Sequence, residues 1–161
     1  MRKRCGVTLY ESPILKRYAK LFVNTSFHKL TKGWNAEPNS PDPKIELDGK
    51  TLPLLFYMNL YQFEEYDEDD VGEITFTNCS RYRLGTLNDE GWYRGQSRFV
   101  DIAHSWGEFY EIKGDPRMDY TSNDWQIVEH GETDHSHYLF YFRDEDFECC
   151  AESWSLRILK A

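Results

Sequence analysis

Cysteine is scarce and unpatterned in this 161-residue chain: Cys5, Cys79, Cys149 and Cys150 form no C-x-x-C pair and no Cys/His ladder. That excludes a disulfide framework and the usual zinc-ribbon spacings. Cys149 and Cys150 are neighbours whose side chains diverge in an extended chain, so a bond between them would be strained. They are expected to be reduced, one in the core and one at the surface, and a cytoplasmic location is the matching expectation. No stretch approaches the roughly 18 apolar residues that a membrane span needs. The basic start carries no continuous apolar core and no small-residue cleavage site, because Tyr10, Glu11, Ser12 and Pro13 interrupt it. Gly-x-Ser-x-Gly, the Walker phosphate loop, the dinucleotide glycine fingerprint and the zincin helix are all missing. The acidic run Glu64 to Asp70 fails as a calcium loop. Asp67, Asp69 and Gly72 fit the first, third and sixth places of an EF-hand, but Val71 and Asn78 stand at the fifth and twelfth. It is expected to be a solvated acidic loop.

Aromatic residues are abundant instead: 5 Trp, 11 Tyr and 10 Phe, many in β-favouring contexts. The densest apolar run is His137 to Phe142. In an extended chain Tyr138, Phe140 and Phe142 point one way and Leu139 and Tyr141 the other, the pattern of a central strand covered on both faces. After a charged break at Asp144 and Glu145, Phe147, Cys149 and Ala151 alternate with Asp146, Glu148 and Cys150. This predicts a hairpin partner with one buried and one mostly wet face. Asp48-Gly49 between Ile45/Leu47 and the stretch Leu52 to Phe63 is a second hairpin signal. Gly72 to Cys79 alternates as a half-buried strand, which Arg81 to Leu84 is expected to continue or pair with. Gly85 to Gly95 and Ser105 to Tyr110 read as turns feeding strands, the latter leading into Ile112. Trp125 to Val128 and Trp154 to Ile158 add further strands, with a polar loop at Glu129 to Ser136. Ser12-Pro13 followed by Ile14, Leu15, Tyr18, Leu21 and Phe22 predicts one amphipathic helix. The expected fold is mostly β: a single domain over 1–161, an antiparallel barrel or sandwich of about eight or nine short strands with one N-terminal helix.

Charge is unevenly distributed. The net value is −9, but residues 1–35 hold 8 Lys or Arg against the single acid Glu11, leaving 11 bases and 27 acids beyond them. An acidic body repels phosphate backbones and attracts basic proteins. No nucleic-acid binding by the main body and no membrane association are expected.

Three sets of residues can carry function. The loop Glu129 to His137 holds three of the five histidines. His135 and His137 share a face in an extended chain, and with His130 they can hold a metal ion, Glu132 or His104 completing the set. The His135-Ser136-His137 spacing resembles the His-x-His element of cupin barrels, a resemblance that implies a metal-binding barrel. The glutamate that family places a few residues later is replaced here by the run Tyr138 to Phe142. The second set is aromatic and polar: Trp34 and Asn35; Trp92, Tyr93 and Arg94; Trp106, Glu108 and Tyr110. Trp, Tyr and Arg at loop–strand junctions supply contact area with a polar handle, as interfaces and small-ligand pockets require. The acidic surface is the third. The leading expectation is a binding protein of the inhibitor or immunity type that engages a basic protein partner. The alternatives are a small metal-dependent barrel using His130, His135 and His137, and a metal-free barrel whose small-ligand pocket is lined by Trp34, Trp92, Tyr93 and Trp106, with Arg94 on an anionic group. No catalytic residue is assigned and no cofactor is expected beyond that metal.

Overall fold

In the computed structural model, described for residues 25–97, 99, 102–103, 105–114, 124–131 and 134–161, two antiparallel sheets face each other. The strands in chain order are β1 Ser26–Lys29, β2 Lys44–Ile45, β3 Leu52–Tyr57, β4 Val71–Thr77, β5 Arg81–Gly85, β6 Phe109–Lys113, β7 Gln126–Ile127, β8 Ser136–Tyr141, β9 Asp146–Ala151 and β10 Ser153–Leu159. One sheet has six strands in the order β1-β6-β8-β9-β5-β7, and the other has four in the order β10-β4-β3-β2. Among the described residues this is an open two-sheet arrangement and not a closed barrel. The proposed helix from Ser12 lies outside the described residues. Among those described, no helix is long and apolar enough to cross a membrane.

The run that dominates the sequence lies in the middle of the larger sheet. β8 and β9 pair from Ser136↔Ala151 to Tyr141↔Asp146, and the Phe142 amide closes the turn on the Glu145 carbonyl at 2.8 Å. The Asp48-Gly49 hairpin also forms, with Gly49 at φ 59°, although its second strand ends at Tyr57 and not Phe63. β4 shows the expected alternation, burying Gly72, Ile74 and Phe76. Gly72 is required there: a Cβ at this position would fall 2.6 Å from the Met58 sulfur and 2.7 Å from the Phe56 ring.

β5 departs from expectation. It neither continues β4 nor pairs with it, but crosses to the other sheet and pairs with β9 from Arg81↔Cys150 to Gly85↔Asp146. The chain makes this crossing at Asn78, held in the left-handed region at φ 53°. It recrosses at Glu152, whose amide bonds the Thr77 carbonyl at 3.0 Å. Both corners meet where Asn78 Nδ2 donates to Glu152 Oε2 at 3.2 Å.

Between the sheets lies an aromatic core. Phe56 meets Phe140 edge-on at 5.2 Å, Phe76 lies 5.4 Å from Phe147, and Phe109 meets Trp154 at 5.1 Å. Buried aromatic pairs at these separations add about 0.5–1.5 kcal/mol each beyond their area.

The other face of the larger sheet is covered too. The arm between β5 and β6 carries one short helix, α1 Asp89–Tyr93, where turns alone were expected. Its N-cap Asn88 accepts the Gly91 amide at 2.8 Å. From this arm Trp92, Phe99 and Ala103 cover Tyr110, Ile112, Leu139 and Tyr141. On β9, where one mostly wet face was expected, Glu148 is 1% exposed and Cys150 6%, while Asp146 is half-buried, so both members of the Cys149-Cys150 pair are core thiols. The acidic loop is not uniformly solvated either. Asp70 is 2% exposed and receives the Asp67 amide at 2.8 Å, Lys160 Nζ at 2.7 Å and the Ala161 amide at 3.3 Å. These bonds hold its carboxyl below the usual carboxylate range, the Lys160 contact contributing most.

Candidate functional site

The arm does not seal the outer face of the sheet completely. A cleft of about 620 Å³ opens between it and strands β5, β8 and β9. The floor of that cleft is a grid set by strand register. Tyr141, Asp146 and Gly85 lie across from one another in one row, and Leu139, Glu148 and Arg83 in the next. All six line the opening, with Asp124 at its edge.

Two of these lining residues, Arg83 and Glu148, belong to a charged array that His137 completes from outside the lining. Arg83 donates from both Nε, at 3.2 Å, and a terminal nitrogen to Glu148 Oε1. His137 Nε2 lies 2.6 Å from Glu148 Oε2, so this nitrogen carries the proton that an ionised carboxylate accepts. Trp125 closes the array from one side, with the Arg83 guanidinium 4.9 Å from its ring centroid and the His137 ring 6.2 Å away edge-on. The Glu148 side chain is 2% exposed, that of His137 5% and that of Arg83 13%. A carboxylate so deeply buried is tolerated because both its oxygens are met by hydrogen-bond donors.

Asp146, two residues before Glu148 on the same face, has different surroundings. The Leu87 amide donates to its Oδ1 at 3.2 Å. Burial, followed by repulsion from Glu148, pushes its carboxyl above the usual range. Its position depends on Gly85: a Cβ there would fall 2.2 Å from Asp146 Oδ1. Beside it the Tyr141 hydroxyl lies 3.4 Å from the Ser97 hydroxyl.

The residues singled out from sequence divide among several places. Trp34 belongs to the inter-sheet core, stacked on Phe56 at 6.0 Å, in a different cluster from Trp92 and Trp106. Trp92 and Trp106 instead close around Tyr141, with ring centroids 5.0 and 4.6 Å from it. Tyr110 is buried beneath the arm, its hydroxyl donating to the Ser105 carbonyl at 2.9 Å. Asn35, Trp106 and Glu108 come together at a smaller cleft of about 270 Å³, where Asn35 Nδ2 donates to the Gly107 carbonyl at 2.7 Å. Glu108 is occupied by Lys29 Nζ at 2.7 Å and by the Thr31 hydroxyl. Tyr93 is 78% exposed, and Arg94 pairs on the surface with Glu90 at 3.1 Å.

Of the histidine set, His130 is exposed in the loop, His135 half-buried just before β8, and His137 buried against Glu148. Among the described residues no three His, Cys, Asp or Glu side chains converge so as to hold a metal ion.

Arg83, Tyr141, Asp146 and Glu148 escaped the sequence reading. A signal for them was present. A β8 apolar on both faces requires a cover over its second face, and a cover wide enough for β8 reaches its neighbour β9 and the acids there.

No protein-family model, curated protein or solved structure matches this chain.

Proposed function

We propose that this protein binds a small organic molecule in the cleft on the outer face of its six-stranded sheet. The observation that carries this reading is the Arg83–Glu148 pair, backed by His137, in the lining of an opening of about 620 Å³. A buried ion pair is a poor stabiliser, since well-packed apolar groups of equal volume do as well or better. Its placement at the floor of a concave, partly apolar opening is what a ligand site requires, and ligand pockets typically measure about 300–1,000 Å³. Such a site differs from the expected pocket in composition: none of Trp34, Trp92, Tyr93, Trp106 and Arg94 is among its described lining residues, where Tyr141 and the strand carboxylates stand instead.

Saturation-transfer NMR against a fragment library tests this. Fragments are expected to bind the wild type, and Thr86→Trp, which fills the rim of the cleft from an exposed position, is expected to abolish that binding while the fold is retained. Fragments that bind Thr86→Trp equally well would remove the cleft from consideration.

A second reading, engagement of a basic protein partner in the manner of an inhibitor or immunity protein, draws on the exposed tyrosines. Tyr61 is 71% exposed and lines a separate cleft with Glu68 and Asp69; Tyr93 stands beside Asp89 and Glu90. Exposed aromatics flanked by acids suit a Lys- or Arg-rich surface. Pull-down of a partner whose binding weakens steeply with salt, and which is lost on Tyr61→Ala or Tyr93→Ala, is the expected outcome. Binding that ignores salt counts against it.

A further inference from the structure

The two carboxylates of the cleft floor are not equivalent, and their difference specifies the ligand. Glu148 has its charge matched within the protein by Arg83 and shares a proton-bearing nitrogen of His137. No Lys, Arg or His nitrogen among the described residues lies within ion-pair distance of Asp146; its partner is the Leu87 amide. Yet the fold makes room for this carboxyl. Gly85 stands opposite it in register, and any side chain there would collide with Asp146 Oδ1. Asp124 also stands at the edge of the cleft. A half-buried carboxylate that makes no ion-pair contact among the described residues can be completed by a cation from outside.

We infer that the ligand of this cleft carries a cationic nitrogen, as in a small primary or secondary amine, and that Asp146 is the carboxylate that receives it. This rests on the proposal that the cleft binds a small molecule. An anionic ligand would meet the Asp146 carboxyl and an arginine already engaged by Glu148. A neutral ligand is the rival: because burial pushes the Asp146 carboxyl up, its protonated form can donate to an uncharged oxygen. Apolar contact for the rest of the molecule comes from Leu139, Leu87 and Phe99, and further hydrogen bonds from the Tyr141 and Ser97 hydroxyls.

The test uses a library in which each small aromatic or aliphatic scaffold is present as an amine, an alcohol and a carboxylate, with binding to the full chain read by NMR and by calorimetry. Amines are expected to bind at least about tenfold more tightly than the alcohols of the same scaffold, a ratio that corresponds to one exposed-to-buried charge contact of about 1.4 kcal/mol, and the carboxylates least. Asp146→Asn keeps the shape and an oxygen for the Leu87 amide. It is expected to bring amines down to the level of alcohols. Equal binding of amine and alcohol in the wild type, or amine affinity that survives Asp146→Asn, would overturn the inference and leave the binding reading standing. Failure of every member of the library to bind would end both. The comparison of amine with alcohol in the wild type decides the matter even if the variant does not fold.

Discussion

The two faces of the six-stranded sheet differ in chemistry. Toward the smaller sheet β8 and β9 present Tyr138, Phe140, Phe147 and Cys149; on the outer face the same strands mix the apolar Leu139 and Tyr141 with His137, Asp146 and Glu148. The difference follows from what lies across each face. A second sheet spends its backbone donors and acceptors on its own ladder and offers a facing layer only side chains. An irregular arm retains unspent backbone groups, such as the Leu87 amide that reaches Asp146. A regular cover therefore selects an apolar face, and an irregular one admits polar groups and leaves a cleft.

Truncation at the inner face should have the largest effect on stability. Phe140 touches Phe56, Phe109 and Trp34, and Phe140→Ala is expected to cost about 3–5 kcal/mol, measured by urea denaturation. If it costs no more than a surface change, the inter-sheet core is not the main source of stability and the contrast between faces collapses. Glu148→Ala is the matching change on the outer face. It strands the Arg83 guanidinium beneath Trp125 and is expected to cost about 3 kcal/mol, at the lower end of the range for breaking a buried pair. The double change Glu148→Ala with Arg83→Ala should recover part of that loss, which no double truncation in the inner core would do.

The smallest effect sharpens the comparison most. The Asp146 carboxyl is raised by burial and by Glu148 and lowered by the Leu87 amide and by Arg83; Asp124 also lines the cleft it faces. Its folded pKa lies above its unfolded one, so the protonated form is favoured in the fold. That contribution is complete below the unfolded value of about 3.9 and is lost as pH rises through the folded value. Asp146→Asn should thus flatten the decline in stability above pH 4, giving a gain at pH 7 smaller than either loss above. Urea midpoints at pH 4 and pH 7 for both proteins check this. A variant with the same slope as the wild type would show that Asp146 ionises as freely in the fold as in the unfolded chain. A stabilising change at Asp146 would match the stability–function trade-off expected if this carboxylate binds a ligand as proposed.

Much of the larger architecture was legible in the residues. Tyr138 to Phe142 announced a doubly covered strand, Asp48-Gly49 a hairpin, and Gly72 to Cys79 a half-buried strand, because each rests on local periodicity or turn geometry. β5 was misplaced because a single residue in the left-handed region, Asn78, sends the chain to the other sheet, and asparagine at a corner looks like any other turn residue. The site was hidden for a related reason. Alternation in β9 reports two faces but not what covers them, and in antiparallel sheets an acidic face is ordinarily wet.

By itself, then, the sequence determined that the chain is β-rich, which residues alternate along its main strands, and that an aromatic core is available to them. These are consequences of a period of two and of side-chain volume, and both are local. Tertiary structure alone decided that Asp146 meets the Leu87 amide, that Arg83 arrives opposite Glu148, and that Gly85 leaves room for a carboxyl. Those juxtapositions join segments about 60 residues apart in the chain, where pairing is chosen by the packing of whole sheets and no local pattern records the choice.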